Sequence, residues 1–298
     1  MKRKKRNKYP FILLLVIHSA LLIYTFIKKK DRRTIGVLLM ANMGMAYIFE
    51  YFILHLFRAY RYKPKILKNE YFDNFLGAIL SQAIYIPFTG VFLSAFKLKW
   101  KVKSLFIFYF HIIERLFLHL KIYKTRWWNP VTTSILLPIY FFLSDKWYEQ
   151  LQKRNPIILF VSLFLAIMGT GFNIVYLAAL TGNVRFGRGR IHKLEEHFNY
   201  APLYSMVLSL FAAWIIRKGR WIGRGGILLF CLFVDWILFR LKIVKKNFAF
   251  PCLNVILHLF MIEMSAFYQR LIYNGLKKEN PTAETKIKSQ SFDKILKI

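Results

Sequence analysis

The sequence contains little of several residue types, and each scarcity excludes a class of protein. Only 14 of the 298 residues are acidic, against 46 Lys and Arg, and only 2 are cysteine. Two cysteines, Cys231 and Cys252, cannot build the disulfide framework of a small secreted domain. The 14 glycines and 9 prolines are too few for a collagen-like or low-complexity chain. What remains is a folded chain with a formal net charge of +32.

Familiar catalytic and nucleotide-binding motifs are also absent. The chain has no GxxxxGK[ST] phosphate loop, no GxSxG nucleophile elbow and no CxxC pair. We therefore expect no cofactor, no ATP-driven transport by this chain alone and no hydrolase of a familiar type. The string HKLEEH contains metal-binding residue types, but His192 and His197 are five residues apart and would point about 140° away from each other on a helix. It predicts a solvated loop and no metal site.

Apolar and aromatic side chains are abundant, and they are arranged in blocks. They make up 56% and 18% of the chain, and the mean hydropathy is +0.36. A helix needs about 20 mostly apolar residues to cross a bilayer, and nine such blocks alternate with basic loops. The sequence therefore predicts an all-α polytopic transmembrane helix bundle of eight or nine spans. The predicted spans are 9–27, 34–57, 75–96, 104–120, 130–147, 156–181, 200–216, 226–241 and 248–273.

The nine blocks divide into an anchor and two similar groups. At an offset of 121 residues, Lys97, Trp100, Leu120, Lys121, Ile122, Lys124 and Pro130 coincide with Lys218, Trp221, Leu241, Lys242, Ile243, Lys245 and Pro251. The predicted parts are a basic segment with an anchor helix at 1–33, membrane repeats at 34–155 and 156–273, and a polar tail at 274–298. With four spans in each repeat, both copies would have the same orientation in the membrane.

The positive charge is spread almost evenly through the loops. Nucleic-acid-binding chains gather their basic residues on one face or arm, so we expect no nucleic acid here and instead a bilayer with anionic head groups, worth about 1 kcal/mol per basic residue. Five tryptophans at span ends are predicted interface anchors: Trp100, Trp127, Trp128, Trp147 and Trp221. Lys and Arg divide almost equally between the two sides. Only the N-terminal basic cluster favours one orientation, with that end in the cytoplasm.

Several short motifs indicate a family. The first half contains YKP at 62–64, YIP at 85–87, IER at 113–115, KIYKTRWWNP at 121–130 and LPIYF at 137–141. Over about residues 40–152 the chain resembles an uncharacterised family of small multi-spanning membrane proteins from endospore-forming Gram-positive bacteria. The resemblance implies a bacterial cytoplasmic membrane, and it transfers no catalytic role because that family has no established activity. The second half departs from the motifs, with Asp235-Trp236 in place of Glu-Arg.

Acidic residues inside predicted spans are the candidate functional residues. A carboxylate at the centre of a membrane helix costs about 2.5–3.5 kcal/mol on insertion scales, and four acids meet this description: Glu50, Glu114, Asp235 and Glu263. Glu114 has His111 and Arg115 nearby on its helix, so it is either a proton- or ion-handling acid tuned by both or part of an ion pair that joins helices. The sharpest hypothesis is that the repeat-related Glu114 and Asp235 form one functional centre.

Three classes of function remain open from the sequence. Intramembrane acids in a repeat favour a transporter-like protein, which is the best guess. The lack of a recognisable site favours, about equally, a structural or interaction protein of the membrane with an unknown membrane protein partner. Basic loops at the level of the head groups would also suit an intramembrane lipid-modifying enzyme, although the sequence favours a protein without enzymatic activity.

Overall fold

The computed structural model describes residues 7–188, 192–217, 222–246 and 250–274. Within these ranges the chain is mainly helical, which confirms the prediction of an all-α helical bundle. The α-helices are α1 Lys8–Lys28, α2 Arg32–Glu50, α3 Glu70–Ile79, α4 Ile86–Ala95, α5 Trp100–His119, α6 Pro130–Gln152, α7 Pro156–Leu180, α8 Leu194–Ile216, α9 Ile222–Arg240 and α10 Phe250–Gln269.

Local sequence signals explain where many of these helices begin. Asp31, Asn69, Asn129 and Asn155 each precede a helix, and each side chain accepts a hydrogen bond from a backbone N–H of the first turn. Such caps satisfy donors that have no partner inside the helix. Pro130 and Pro156 then occupy the first helical position, where the missing N–H is not needed.

Three π-helical turns extend or join the helices, at Tyr51–Leu56, Leu80–Tyr85 and Arg270–Asn274. The second joins α3 to α4, so that the chain runs as one helix from Glu70 to Ala95. Pro87 explains this π turn, because proline has no N–H to donate to the carbonyl of Ala83. The preceding N–H, that of Ile86, donates to Ser81 O, which is one residue further back than in an α-helix. The first turn begins directly after Glu50.

Two small antiparallel ribbons lie among the helices, and the all-α prediction did not include them. Strand β1 (Tyr60–Tyr62) pairs with β2 (Tyr123–Thr125), and β3 (Val184–Phe186) pairs with β4 (Val244–Lys246). Arg61 is opposite Lys124 in the first ribbon, and Arg185 is opposite Lys245 in the second. Lys121 and Lys242, 121 residues apart, both have positive φ angles just before β2 and β4.

Contacts between helix ends define two ends of the bundle. At the ribbon end, Asn7 Nδ2 donates to Lys63 O at 3.2 Å, and Arg58 beside the first ribbon forms an ion pair with Glu195 beside the second. At the opposite end, Lys103 pairs with Asp145, and Arg154 donates to Tyr273 O. The two ribbons therefore lie at the same end of the bundle as the start of α1.

Six of the described helices are long and apolar enough to cross a membrane: Lys8–Lys28, Arg32–Leu56, Glu70–Ala95, Pro156–Leu180, Leu194–Ile216 and Leu253–Asn274. The prediction of a multi-pass helical protein therefore stands. The helices α5, α6 and α9 are not among these six, and α5 and α9 correspond to the short predicted spans 104–120 and 226–241. Helix boundaries also differ, because the third predicted span at 75–96 begins at Glu70 and the seventh at 200–216 begins at Leu194.

Small residues allow close helix contacts in the core. A Cβ atom at Gly44 of α2 would lie 2.6 Å from Leu165 Cβ and 2.8 Å from Leu165 O of α7. The segment GTGFN at 169–173 lies within the continuous helix α7, so it is not an unwound ligand-binding stretch. Its Asn173 Oδ1 accepts from Tyr47 Oη at 3.0 Å, a further link between α2 and α7.

We expect Gly44→Ala to lower the thermal stability of the purified protein, because the new methyl group meets the backbone of α7. Overpacking of this kind costs about 1–3 kcal/mol. Gly36→Ala in the same helix is the matched control, since a Cβ there has nothing within 4 Å and alanine favours helix by about 1 kcal/mol. Thermal unfolding in detergent micelles measures both. Equal stability of the two variants would contradict the close α2–α7 contact.

Candidate functional site

Each half of the chain contains a cavity. The first cavity has a volume of about 280 Å³ and lies between α1, the α2 region, the α3–α4 helix, α5, α6 and the first ribbon. The second cavity has a volume of about 80 Å³ and is built from α7, α8, α9, α10 and the second ribbon. Glu114 lines the first and Asp235 the second, and no described residue lines both. The hypothesis that the two acids form one centre is therefore wrong in its geometry.

Aromatic side chains of the first ribbon form a wall of the first cavity. Alternate residues of a strand share a face, so Tyr60 and Tyr62 of β1 point the same way as Tyr123 of β2, which is the register partner of Tyr62. Their ring centroids lie 5.1–5.5 Å apart, and the Trp128 ring lies 5.4 Å from Tyr60. Trp128 is buried, so it is not the interface anchor that the sequence predicted.

Glu114 of α5 brings a carboxylate to this cavity. Thr133, Tyr123 and Trp128 surround the carboxylate, yet its Oε1 atom is buried without a hydrogen-bond partner. The indole of Trp128 donates instead to Thr133 Oγ1 at 2.8 Å. An unpartnered carboxylate oxygen in an apolar environment is costly unless a proton or a cation neutralises it.

Glu50 lies behind the cavity wall, at the junction of α2 and its π turn. It is 4% exposed, and its Oε2 atom accepts from Tyr60 Oη at 2.5 Å and from Gln82 Nε2 at 3.1 Å. Both donors line the first cavity, while Glu50 itself does not. Its Oε1 atom is buried without a partner. Glu50 thus orients two cavity residues and places a second carboxylate close to the same site.

Asp235 of α9 has a complete set of donors. Its Oδ1 accepts from Tyr204 Oη at 2.7 Å, and its Oδ2 contacts Asn254 Nδ2 and lies 2.9 Å from His258 Nε2. These partners come from α8 and α10, so the carboxylate joins three helices. Asp235 is 8% exposed, and the network resembles a buried structural polar cluster, in which every group is satisfied.

The other predicted site residues form no described hydrogen bond or ion pair with Glu114, Glu50 or Asp235. Arg115 is exposed, and the described residues give it no hydrogen bond or ion pair with Glu114, so it does not tune that acid. His111 Nδ1 lies 3.0 Å from Ser134 Oγ on α6. Glu263 is exposed at the side chain and pairs with Arg224 of α9 at 2.6 Å.

Sequence reasoning missed a buried polar cluster at the opposite end of the bundle. Lys103 of α5 is 3% exposed and pairs with Asp145 of α6. Ser94 Oγ donates to Asp145 at 2.8 Å and lies 2.9 Å from Ser144 Oγ, which accepts from Asn42 Nδ2 at 2.8 Å. The sequence offered one indication, an acid within the predicted span 130–147. In the sequence, Lys103 is one of several lysines that precede the predicted span 104–120.

The outer face of the first ribbon is basic. Arg61 pairs with Glu70 at 2.7 Å, and Lys124 on the neighbouring strand is exposed. Partial desolvation lowers the pKa of Lys63, and the nearby charges of Lys124 and Arg61 lower it further. The ribbon therefore has an aromatic inner face on the cavity and a crowded cationic outer face.

The residues of HKLEEH bind the backbone beside the second ribbon. His192 Nδ1 lies 3.1 Å from Arg185 O, and its Nε2 lies 3.1 Å from Lys242 O. His197 Nδ1 accepts from Phe186 N at 3.1 Å. The string therefore begins helix α8 and braces β3 and β4, which corrects the prediction of a solvated loop.

Comparison with known proteins gives no relative: no family model matches the chain, and neither a curated protein nor a solved structure does. The resemblance to a bacterial membrane family stays a prediction.

We expect Asp235→Asn to destabilise the protein, because an amide presents its own N–H donors to the donors that Asp235 accepts from. Loss of hydrogen bonds to a buried charged group costs about 1.5–3 kcal/mol. Glu263→Gln breaks an exposed ion pair and should change stability by about 0–1 kcal/mol. Chemical or thermal unfolding of both variants in detergent tests this. A larger loss for Glu263→Gln would show that the Asp235 network is not structural.

Proposed function

We propose that this chain is a transporter-like protein of a bacterial cytoplasmic membrane, with its solute site in the first cavity and Glu114 as the exchangeable acid. The observation that carries the proposal is the buried Oε1 atom of Glu114, which has no hydrogen-bond partner at the edge of a 280 Å³ cavity. In the empty site Glu114 holds a proton, and it releases that proton when a solute takes its place.

The contrast between the two halves supports a functional role for Glu114. A carboxylate that serves only to join helices gathers donors, as Asp235 does with Tyr204, Asn254 and His258. Glu114 lies beside Thr133, Tyr123 and Trp128, yet the described residues leave its buried Oε1 atom without a hydrogen-bond partner, and the Trp128 indole donates to Thr133 instead. It also borders a cavity about three times larger than the one beside Asp235. A site with space and an unsatisfied charge is suited to a ligand.

Local helix geometry on the cavity wall also supports the proposal. The π turn at Leu80–Tyr85 contributes Ser81, Gln82 and Tyr85 to the lining. Such turns are frequent at functional sites because they re-aim side chains without ending the helix. Pro138 lies inside α6, between the lining residues Leu137 and Ile139. Irregular helices beside an intramembrane cavity are typical of transporters.

We further propose that the two halves are tandem copies in the same orientation. Supporting this, residues 121 apart line the two cavities: Phe110 and Cys231, Glu114 and Asp235, Tyr123 and Val244, Thr133 and Asn254, Leu136 and Leu257, Leu137 and His258, Tyr140 and Met261. An offset of 124 relates Tyr60 to Val184, Tyr62 to Phe186, Ser81 to Ser205 and Tyr85 to Ser209. In this account the first copy holds the solute.

The hydrogen-bonded network around Asp235 favours a structural role for the second half of the chain. Tyr204, Asn254 and His258 contact both oxygens of the carboxylate beside the small second cavity. The second half would then support the first, by the Arg58–Glu195 ion pair and by the contact of Tyr51 Oη with Asn199 O at 3.2 Å.

Transport is tested in proteoliposomes with an imposed pH gradient and two permanently charged probes, benzyltrimethylammonium and benzenesulfonate. We expect one of them to accumulate above the level of protein-free liposomes. Glu114→Gln should lower this accumulation about tenfold to hundredfold, the worth of one charge-assisted contact. Glu263→Gln is the matched control and should retain it. Accumulation of neither probe, or accumulation unaffected by Glu114→Gln, would contradict the proposal.

The repeat is tested by labelling single cysteines in intact cells and inverted vesicles, with Cys231 and Cys252 replaced by alanine. Lys124→Cys and Arg188→Cys lie at the ribbon end, on exposed side chains. We expect both to react from one side of the membrane. Lys99→Cys and Lys153→Cys, exposed at the opposite end, should react from the other. Reaction of positions 124 and 188 from different sides would refute the parallel arrangement.

A further inference from the structure

The charge of the first cavity is unusual for this chain. The protein has 46 Lys and Arg, yet the described residues that line the cavity include Glu114 as their one carboxylate and none of Lys, Arg or His. His111 lies close to Glu114, but its Nδ1 is engaged with Ser134. Arg115 is exposed on the other face of the helix. The described lining of the cavity thus contains an acid and no basic side chain to balance its charge.

A second carboxylate adds to this deficit. Glu50 is 4% exposed, and its Oε1 atom has no hydrogen-bond partner. Its Oε2 atom accepts a hydrogen bond from the hydroxyl group of Tyr60. The lone pairs of that hydroxyl oxygen therefore remain as acceptors beside the cavity. The polar groups near the site therefore present mainly acceptors, which suit a donor or a positive charge.

The aromatic wall provides the other half of a cation site. Tyr60, Tyr62, Tyr123 and Trp128 form a cluster with ring centroids 5.1–5.5 Å apart, and all four line the cavity. The faces of aromatic rings attract organic cations, most strongly where water is excluded. The remaining lining includes Phe49, Phe110, Phe117, Leu136 and Leu143, which would contact an apolar body.

The same observations argue against calcium or magnesium as the cation. Calcium takes about six to eight oxygen ligands and magnesium requires near-octahedral oxygen coordination, whereas the lining contributes one carboxylate and otherwise hydroxyl, amide and hydrocarbon groups. A volume of about 280 Å³ walled by aromatic and aliphatic side chains fits a molecule with a hydrophobic body.

We propose that the first cavity binds an apolar organic monocation, such as an aromatic or alkyl amine or a quaternary ammonium, with its charge between Glu114 and the rings of Tyr60, Tyr62, Tyr123 and Trp128. This deepens the proposed function and rests on the same site, but it concerns equilibrium binding and needs no transport. On binding, the cation replaces the proton held by Glu114, so the charge of the site is unchanged.

The test is equilibrium binding to the purified full-length protein in detergent, by isothermal titration, with three probes of similar size. These are the cation benzyltrimethylammonium, the neutral benzyl alcohol and the anion benzenesulfonate. We expect the cation to bind at least about tenfold more tightly than the other two. Equal affinities, or preference for the neutral or anionic probe, would overturn the inference.

Variants of Glu114 and Tyr123 test where the charge of the bound cation lies. Glu114→Gln should weaken binding of benzyltrimethylammonium about tenfold or more, while Glu263→Gln should leave it unchanged. Tyr123→Leu should also weaken it, and Tyr123→Phe, which keeps the ring, should retain most of it. If Glu114→Gln does not fold, as judged by size-exclusion chromatography, the Tyr123 pair and the wild-type probe series still decide. Undiminished binding in Tyr123→Leu would overturn the aromatic site.

The two proposals fail in different ways. Binding of benzyltrimethylammonium without its accumulation in proteoliposomes would support this inference and overturn the transport proposal. Glu114-dependent accumulation of benzenesulfonate, without binding of the cation, would support transport and overturn the assignment of a cation.

Discussion

The structure depends on how carboxylates are accommodated in an apolar bundle. An ionised carboxylate away from water needs hydrogen-bond donors, a cationic partner or a proton. Asp235 has three donors from α8 and α10. Asp145 has the buried ammonium of Lys103. Glu114 has Thr133, Tyr123 and Trp128 around its carboxylate, but among the described residues its Oε1 atom has no hydrogen-bond partner, and it is the acid that lines the larger cavity. This difference separates the structural acids from the candidate functional one.

The two halves use one framework for different purposes. Each has a cavity beside its ribbon, lined by Glu114 in the first half and by Asp235 in the second. In the first half the inward ribbon residues are Tyr60, Tyr62 and Tyr123, and in the second they are Val184, Phe186 and Val244. His258 in place of Leu137 and Asn254 in place of Thr133 contact Asp235 in the second half, whose cavity is the smaller of the two.

Much of the helical framework could be predicted from the sequence, because apolar blocks and Asn or Pro caps are local signals. The ribbons could not, since three-residue strands have no periodicity to detect and are formed by pairing across more than 50 residues. The sequence predicts Glu50, Glu114 and Asp235 as candidate functional residues, because a carboxylate inside an apolar span is energetically costly. Whether each acid has hydrogen-bond partners depends on side chains of neighbouring helices. The sequence therefore could not show that Asp235 has three partners or that Glu114 Oε1 has none among the described residues.

Other errors have the same origin. Arg115 follows Glu114 in sequence, but consecutive helical residues face different directions, so its side chain is exposed. Trp128 looked like an interface anchor next to Trp127, yet it is buried in the cavity wall, while Trp127 is exposed. Lys103 was one of several loop lysines until the fold placed it against Asp145. In each case the tertiary packing, and not the residue type, determines the role.

We propose that Glu114 exchanges its proton for an organic cation in the first cavity. Infrared difference spectroscopy of the purified protein, with and without benzyltrimethylammonium, measures this exchange. We expect the cation to remove the band of a protonated carboxyl group and to produce the bands of a carboxylate. This change should be absent from Glu114→Gln and present in Glu263→Gln. A spectrum without a carboxyl change, or a change that persists in Glu114→Gln, would contradict the claim.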